Sequence, residues 1–412
     1  MTALDAWLAA REAEAAAALR AAISPVGLVH RREAIGQTVR PVRGAVLASV
    51  LRDGWNPDPD YFYCWRRDGA VAMARIPALA AVAQPREAAR WRADFADCVD
   101  FWLMATDPER PPLTRNPLAD AAPADGRRFL RPDHELGALV GAARMGEPRV
   151  GVDGGPDLER WSRPQFDGPA LCARVLLDAR ATPGFASAAV DALLARDLAF
   201  TEATAGRPCI GPWEEEPARL DVFTLIVQHD ALRRAGATAS AARIATTLEP
   251  AWDGTCWRAF VGAGPDDVDA AVVLAILWAD AADGPFAIDS ARTTATLEAL
   301  EARFMALYPV NAGRDAPLCG RFPADVFFGG NPWLPTTLGF AELRYRRAAL
   351  GKGDAEADRA DAMMERLREL LPDGGFPEQL HRETGAPISC KALTWSAAAL
   401  LSVAAARRAA GR

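Results

Sequence analysis

The sequence lacks the features that mark proteins that bind nucleic acid or span a membrane. Its 47 basic and 54 acidic residues give a net charge of -7 and form no basic arm or run, so we expect no nucleic-acid partner. The longest uncharged apolar run, residues 270–279, is about half the length that a membrane span needs. The first residues show no basic segment followed by an apolar one, so we expect no signal peptide and predict a cytoplasmic protein.

Cysteine and histidine are scarce and scattered. The seven cysteines are odd in number and include no CxxC pair, which fits reduced thiols in a cytoplasm better than a disulfide framework. The four histidines have neither HxH nor HExxH spacing, so no metal site is expected. No GxSxG nucleophile motif and no convincing phosphate-binding glycine loop is present.

Helical periodicity is the main pattern that is present. Abundant alanine favours helix, and the best strand signals are short, at Val39–Val42 and Tyr61–Trp65. Gly/Pro-rich segments such as Asp53–Asp60 separate the helices, but none is long and polar enough to mark a domain boundary. We therefore predict one all-α domain over residues 1–412. Its twelve helices begin with one near residue 4 and continue at about 68–82, 86–106, 164–180, 187–203, 217–236, 238–253, 267–279, 290–307, 331–350, 355–370 and 391–408.

Polar and aromatic residues are concentrated in the loops before the second, fourth, sixth, tenth and twelfth helices. If the even-numbered helices form an inner ring, their N-terminal ends converge on one mouth. Helix N-termini offer free N–H groups and the positive end of the helix dipole. The pattern therefore predicts a polar site at that mouth.

Three of these loop clusters come early in the chain, and each of them taken alone could have a structural role. Tyr61–Asp68 sets an Arg–Asp pair beside aromatic rings, which can bind a sugar, but Asp68 could also simply cap a helix. Trp161–Pro169 taken alone is a Pro/Gly turn anchored by its tryptophan. The acidic residues of Pro212–Glu216 could complement the dipole of the sixth helix. Alternatively, a carboxyl pressed against a tryptophan ring loses hydration, which favours the protonated form that a general acid requires.

The last two clusters are similarly open. Gly320–Pro323 leads to Gly329–Trp333, where Asn331-Pro332 has the composition of a helix start, so a turn followed by a cap is the simplest interpretation. Gly374–Gln379 places Glu378 in a Gly/Pro loop, where a glutamate is usually solvated.

Together the clusters resemble the glucoamylase family, the inverting exo-α-glucosidases of glycoside hydrolase family 15. They occur in the family's order and span Tyr61–Leu401. The matching stretches are YFYCWRRD, RPQFDGPAL, PWEEE with FTLIVQHDAL, GRFP with GGNPW, and PEQL with TGAPISCKALTWS. The resemblance implies an (α/α)6 barrel of six inner and six outer helices. It also implies a small α-linked gluco-oligosaccharide as substrate, with no metal or organic cofactor.

The resemblance also implies roles for single residues. Glu214 would be the general acid and Glu378 the general base, whereas Arg67 and Asp68 would bind the hydroxyls of the terminal glucose. The remaining implied contacts are Tyr61 and Trp65 in the same subsite, Trp161, Glu215 and Arg321 at the next sugar, Gln379 beside the attacking water, and Trp213 beside the acid. Inversion needs a protonated carboxyl and a carboxylate on opposite faces of the sugar, about 6.5–9.5 Å apart. The expected product is β-D-glucose.

Several residues depart from the family pattern. Phe327 and Phe328 stand where tyrosines are frequent, Lys391-Ala392 replace the usual Arg-Asp behind Cys390, and Arg66 is unusual before Arg67. We also expect neither a starch-binding domain nor an N-terminal β-sandwich domain. Because the intervals between clusters are shorter than in fungal members, short soluble oligosaccharides are the expected substrates rather than starch granules.

The linkage stays open. We favour terminal α-1,4-linked glucose, with α-1,6-linked glucose as the alternative and trehalose as a weaker one. A catalytically inactive sugar-binding protein is disfavoured because both carboxylates and the Arg–Asp pair are retained. A lyase or terpene cyclase would need a His/Tyr/Lys cluster or an aspartate-rich motif, and Asp266-Asp267 is better explained as a helix cap.

Overall fold

Helices make up most of the computed structural model, which describes residues 2–53 and 58–412. The middle of the predicted Asp53–Asp60 separator therefore lies outside the described residues. The helices within the described ranges are α1 (Ala3–Ala22), α2 (Arg66–Met73), α3 (Ile76–Val82), α4 (Pro85–Ala105), α5 (Asp133–Gly137), α6 (Asp167–Ala181), α7 (Ala188–Thr204), α8 (Val222–Arg234), α9 (Thr238–Leu248), α10 (Ala271–Ala279), α11 (Ala291–Leu307), α12 (Leu334–Ala349), α13 (Asp354–Leu370) and α14 (Thr394–Ala409).

All twelve predicted helices have counterparts, although several begin or end up to five residues from the predicted bounds. The predicted 68–82 segment is two helices, α2 and α3, because Pro77 in the first turn of α3 has no N–H to continue the hydrogen bonds of α2. The helix predicted to begin at residue 217 begins instead at Val222. Its start is set by Asp221, whose Oδ1 accepts a hydrogen bond from the Thr224 N–H at 2.9 Å. The one-turn helix α5 was not predicted.

The strands within the described ranges form three short antiparallel pairs. They are β1 (His30–Arg32) with β2 (Gln37–Val39), β3 (Cys64–Trp65) with β4 (Arg149–Val150), and β5 (Gln379–Leu380) with β6 (Pro387–Ile388). The strand predicted at Val39–Val42 is wrong. The strand β2 ends at Val39, and Pro41 has no N–H group with which to extend the ladder. Only the last two residues of Tyr61–Trp65 are a strand. In that pair Trp65 stands opposite Arg149.

The described residues fall into two compact units. The first is made of Met1–Leu19, Arg219–Arg233 and Thr238–Arg412, and the second of Arg20–Ala218 and Arg234–Ala237. In the first unit α12 packs against α10, α13 and α14. In the second unit α6 packs against α2 and α7. The prediction of a single domain stays a prediction.

Apolar burial and paired charges stabilise each unit internally. In the first unit α10 is buried along almost its whole length, as expected for a helix that is apolar on all sides. In the second unit the unusual Arg66 forms a fully buried ion pair with Asp197 of α7. All seven cysteines are buried with free thiols. Across the described ranges, no helix combines the length and the apolar character that crossing a membrane requires.

Candidate active site

Glu214 lies in a loop, which corrects the predicted position at the start of a helix. The segment 211–220 contains turns and no helix, so its acidic residues do not stand in the first turn of α8, which begins at Val222. Glu214 has a φ of 67°, in the left-handed region that residues with a Cβ rarely occupy. The Ser162 hydroxyl donates to the Glu214 carbonyl oxygen at 2.5 Å, which helps to hold this backbone conformation.

Both oxygens of the Glu214 carboxylate accept a hydrogen bond from an indole. Trp65 Nε1 donates to Oε1 at 2.6 Å, and Trp161 Nε1 donates to Oε2 at 2.7 Å. Gln165 Nε2 also donates to Oε1, at 3.2 Å, and Arg67 Nη2 lies 3.7 Å from the same atom. Directional bonds at both oxygens set the plane of the carboxyl group. Two predicted sugar-contacting tryptophans therefore also bind the predicted acid.

Arg67 and Asp68 are buried in the first turn of α2. Arg67 Nη1 donates to Asp167 Oδ2 and to Gln165 Oε1, both at 3.1 Å, and Arg67 Nε lies 3.9 Å from Asp68 Oδ2. Burial would lower the pKa of Arg67, but the charges of the surrounding carboxylates, Asp167 foremost, raise it above its ordinary value. The guanidinium is therefore a permanent positive charge beside Glu214. Asp68 is inside the helix, so its interpretation as the cap is wrong.

Aromatic rings surround this group of charges. The ring centroid of Trp65 is 5.4 Å from that of Tyr61 and 6.0 Å from that of Trp161, both edge to face. Trp213 is half-buried in the Glu214 loop, and Glu215 is exposed. The second unit thus brings Tyr61, Trp65, Arg67, Asp68, Trp161 and Glu214 together.

Glu378 is only 5% exposed, so its interpretation as a solvated loop glutamate is wrong. The Ser389 hydroxyl donates to Oε2 at 2.5 Å. The backbone is fixed as well, since the Glu378 N–H donates to the Cys390 carbonyl at 2.6 Å and the Leu334 N–H donates to the Glu378 carbonyl at 2.8 Å. A buried carboxyl with its orientation set by a neighbouring hydroxyl is a candidate for proton transfer.

Gln379 is held beside Glu378 by Asn331. The Asn331 Nδ2 group donates to Gln379 Oε1 at 2.9 Å and to the Phe328 carbonyl at 2.7 Å. Asn331 therefore connects loops and does not start a helix, and α12 begins at Leu334. Gln379 Nε2 is buried without a hydrogen-bond acceptor among the described residues, so it has a donor to offer.

Arg321 is oriented by an ion pair and is not a helix cap. Its Nε and Nη2 donate to the two Asp325 oxygens at 2.8 and 2.5 Å, and the guanidinium lies 5.1 Å from the Phe327 ring centroid. The first unit thus contains Arg321, Glu378 and Gln379 of the predicted site residues.

Sequence reasoning missed several residues that touch the predicted ones. Asp167 and Gln165 lie within the RPQFDGPAL stretch and Ser389 within TGAPISCKALTWS. The family resemblance therefore already pointed to the stretches that contain them. Arg149 lies outside every cluster. Among the described residues no group of three or more His, Cys, Asp or Glu side chains is arranged to hold a metal ion.

Comparison with known proteins agrees with these observations. The model of the family "Glycosyl hydrolases family 15" matches residues 144–359. Glucoamylase-1 of Arthroderma benhamiae is 26% identical over 428 aligned positions, which cover 88% of this chain and 65% of that protein. The chain therefore spans slightly less than two thirds of that relative's length.

Solved glucoamylase structures share the fold. That of Hormoconis resinae has a TM-score of 0.79 at 24% identity, covering 98% of this chain and 74% of the other. That of Saccharomycopsis fibuligera has a TM-score of 0.74 at 20% identity, covering 100% and 96%. At this identity the likeness concerns the fold alone, and it confirms the predicted (α/α)6 fold class.

Proposed function

Because the chain belongs to glycosyl hydrolase family 15, we propose that it is an inverting exo-acting α-glucosidase. It removes terminal glucose from the non-reducing ends of short gluco-oligosaccharides, preferably at α-1,4 bonds, and releases β-D-glucose. The observation that carries the proposal is the Glu214 carboxyl, bound at both oxygens by indoles and flanked by Arg67. Arg67 and Asp68 are assigned to the hydroxyls of the terminal glucose.

In the proposed mechanism Glu214 protonates the glycosidic oxygen as the bond to the anomeric carbon breaks. The indole bonds fix the plane of its carboxyl group, and a fixed orientation is what positioned general-acid catalysis requires. Trp161, Glu215 and Arg321 are assigned to the second sugar, with Tyr61 and Trp65 at the first and Trp213 beside the acid.

Glu378 is the proposed base that removes a proton from the attacking water. The Ser389 hydroxyl donates to its Oε2 and thereby orients the carboxyl group for this step. The buried Gln379 Nε2 has no other acceptor among the described residues, so it can donate to the same water. The proton lost from Glu214 is balanced by the proton gained by Glu378.

A time-resolved NMR assay tests the proposal. The native enzyme should release β-glucose first from maltose, isomaltose or trehalose, and the rates on these three sugars decide the linkage. Glu214→Gln and Glu378→Gln should each lower kcat by about 10²–10⁴-fold. Matched controls are Glu216→Gln in the Glu214 loop and Glu383→Gln between β5 and β6, which change exposed carboxyls and should keep near-native rates. Release of α-glucose first, or near-native turnover by either active-site variant, would contradict the mechanism.

A further inference from the structure

Arg149 is a fully buried cation close to Trp65 and Trp161, the two tryptophans that donate to Glu214. It is 0% exposed and stands opposite Trp65 in the β3–β4 pair. Its Nε lies 2.9 Å from Asp157 Oδ2, and its Nη2 lies 3.3 Å from Glu159 Oε2. Burial would lower the pKa of Arg149, but these carboxylates, Asp157 first, raise it above its ordinary value. The side chain therefore stays charged and is held by partners on two sides.

The Arg149 guanidinium contacts the rings of both tryptophans that bind Glu214. Its central carbon lies 3.6 Å from the ring centroid of Trp161 and 5.1 Å from that of Trp65. These distances are within the range of cation–π attraction. Arg149 also lies 4.0 Å from the Tyr63 ring, and the Tyr63 hydroxyl donates to Glu159 at 2.5 Å. Glu159 thus binds Arg149 and Tyr63 at once and fixes them to each other.

The two indoles can serve the Glu214 carboxyl only while their ring planes stay fixed. Each N–H bond is short, at 2.6 and 2.7 Å, and such bonds weaken steeply when their angle changes. The two rings meet edge to face, and the Arg149 guanidinium lies against both of them. The planar guanidinium is shaped to stack on rings, which a lysine ammonium is not.

We propose that Arg149 is a positioning residue for the proposed general acid, holding the Trp65 and Trp161 indoles so that their N–H groups fix both oxygens of the Glu214 carboxyl. The inference rests on the proposed function for the acid's role. The arrangement of cation, indoles and carboxyl can be tested without any substrate.

The first experiment uses NMR of protein labelled with ¹⁵N at tryptophan, in the absence of sugar. Trp65→Phe and Trp161→Phe identify the two indole N–H signals, and Glu214→Gln identifies those that depend on the carboxylate. Arg149→Lys, which keeps the charge but loses the planar stack, should move both signals toward the position of a free indole N–H. Unchanged positions of both signals in folded Arg149→Lys protein would overturn the proposal.

Arg32→Lys is the matched control. Arg32 is also buried, pairs with Asp60 and lies 3.9 Å from the same Tyr63 ring. A general loss of stability would affect both variants, so melting temperatures are measured on the same samples. Arg32→Lys should lower the melting temperature while leaving the Trp65 and Trp161 signals in place. Equal movement of the signals in both variants would mean that Arg149 acts through stability alone.

A milder variant covers the case in which Arg149→Lys does not fold. Glu159→Gln weakens the attachment of Arg149 and Tyr63 but keeps the ring stack, so it should move both indole signals in the same direction by a smaller amount. Unmoved signals in this variant would also count against the proposal. If the native protein hydrolyses α-glucosides, kcat of Arg149→Lys should be about tenfold or more lower, with a smaller change in KM. Absence of hydrolysis by the native protein would contradict the proposed function and leave the NMR result standing.

Discussion

At the residue scale, neighbouring residues of one type have different environments. Glu214, Glu215 and Glu216 are consecutive, yet Glu214 is half-buried and bound by two indoles, whereas the other two are exposed. A surface glutamate outside a helix contributes little to folding. A substitution of exposed Glu215 therefore tests its role in binding separately from any role in stability. The proposed contact of Glu215 with the second sugar can therefore be tested without loss of the fold.

The first prediction concerns linkage. Glu215→Gln should change the ratio of kcat/KM for maltose to that for isomaltose by about tenfold or more, since a hydrogen bond to a charged group contributes about 1.5–3 kcal/mol. The melting temperature should stay the same. Kinetics on both sugars and a thermal melt on one preparation measure this, and an unchanged ratio would remove Glu215 from the site.

The second prediction concerns acid stability and the Asp60 carboxylate. Burial raises its pKa, but the hydrogen bond with His30 and the charge of Arg32 outweigh this and lower the pKa from 3.8 to about 2. Because the folded-state pKa is the lower one, the carboxylate stabilises the fold above about pH 4, and this contribution is lost as the pH falls toward 2. Asp60→Asn should therefore lower the free energy of unfolding at pH 7 by about 2 kcal/mol.

Urea titrations at several pH values check the Asp60 prediction. The difference between native protein and Asp60→Asn should shrink between about pH 4 and 2. A difference that is the same at pH 7 and pH 2.5 would contradict the assigned cause.

At the scale of helices, close approach of α2 and α6 depends on a glycine. A Cβ on Gly168 would lie 2.8 Å from Arg66 Cβ and 3.0 Å from Arg66 Cγ, and Arg66 cannot easily move because it is paired with buried Asp197. The contact therefore connects α2, which contains Arg67 and Asp68, to α6 and α7.

The third prediction is that Gly168→Ala lowers the free energy of unfolding by about 1–3 kcal/mol, the usual cost of overpacking. Gly137→Ala in α5 is the control, because the nearest atom to the added Cβ is the Leu113 carbonyl oxygen at 4.0 Å. That control should be neutral or slightly stabilising, since alanine favours helix. Chemical denaturation of both variants measures the difference, and equal stabilities would show that Arg66 can move aside.

At the scale of the whole molecule, each unit contains a buried ion pair. A substitution that breaks the pair tests whether that unit unfolds separately. Asp197 pairs with Arg66 in the second unit, and Glu301 pairs with Arg344 in the first, at 2.6 Å. Asp197 and Glu301 are 0% and 1% exposed. Removing the Asp197 carboxylate breaks the ion pair of buried Arg66, and removing that of Glu301 leaves Arg344 paired with Glu356 alone. Breaking a buried ion pair typically costs about 3–5 kcal/mol.

The fourth prediction follows from the single-domain interpretation. Calorimetry of the native protein should show one transition, and Asp197→Asn and Glu301→Gln should each lower the temperature of that same transition. Two transitions, each sensitive to one variant only, would mean that the two units unfold separately and that residues 1–412 are more than one domain.

The residues that were predictable are those whose signal is local. Alanine content and apolar spacing predict the helices because helix formation depends on neighbours within one or two turns. Ordered motifs such as Tyr61–Asp68 and Pro212–Glu216 indicate the family and the two carboxyls. The predicted start of α8, at residue 217, was wrong because several possible helix starts lie a few residues apart. The side-chain cap at Asp221 decides between them.

Only the tertiary structure decided which side chains meet. Trp65 and Glu214 are 149 positions apart, Arg149 belongs to no motif, and the burial of Glu378 depends on loops distant in sequence. Such contacts come from how helices and strand pairs pack, and one sequence carries no periodic signal for them. The sequence therefore determined the helices and the identity of the candidate carboxyls, whereas packing alone determined what orients them.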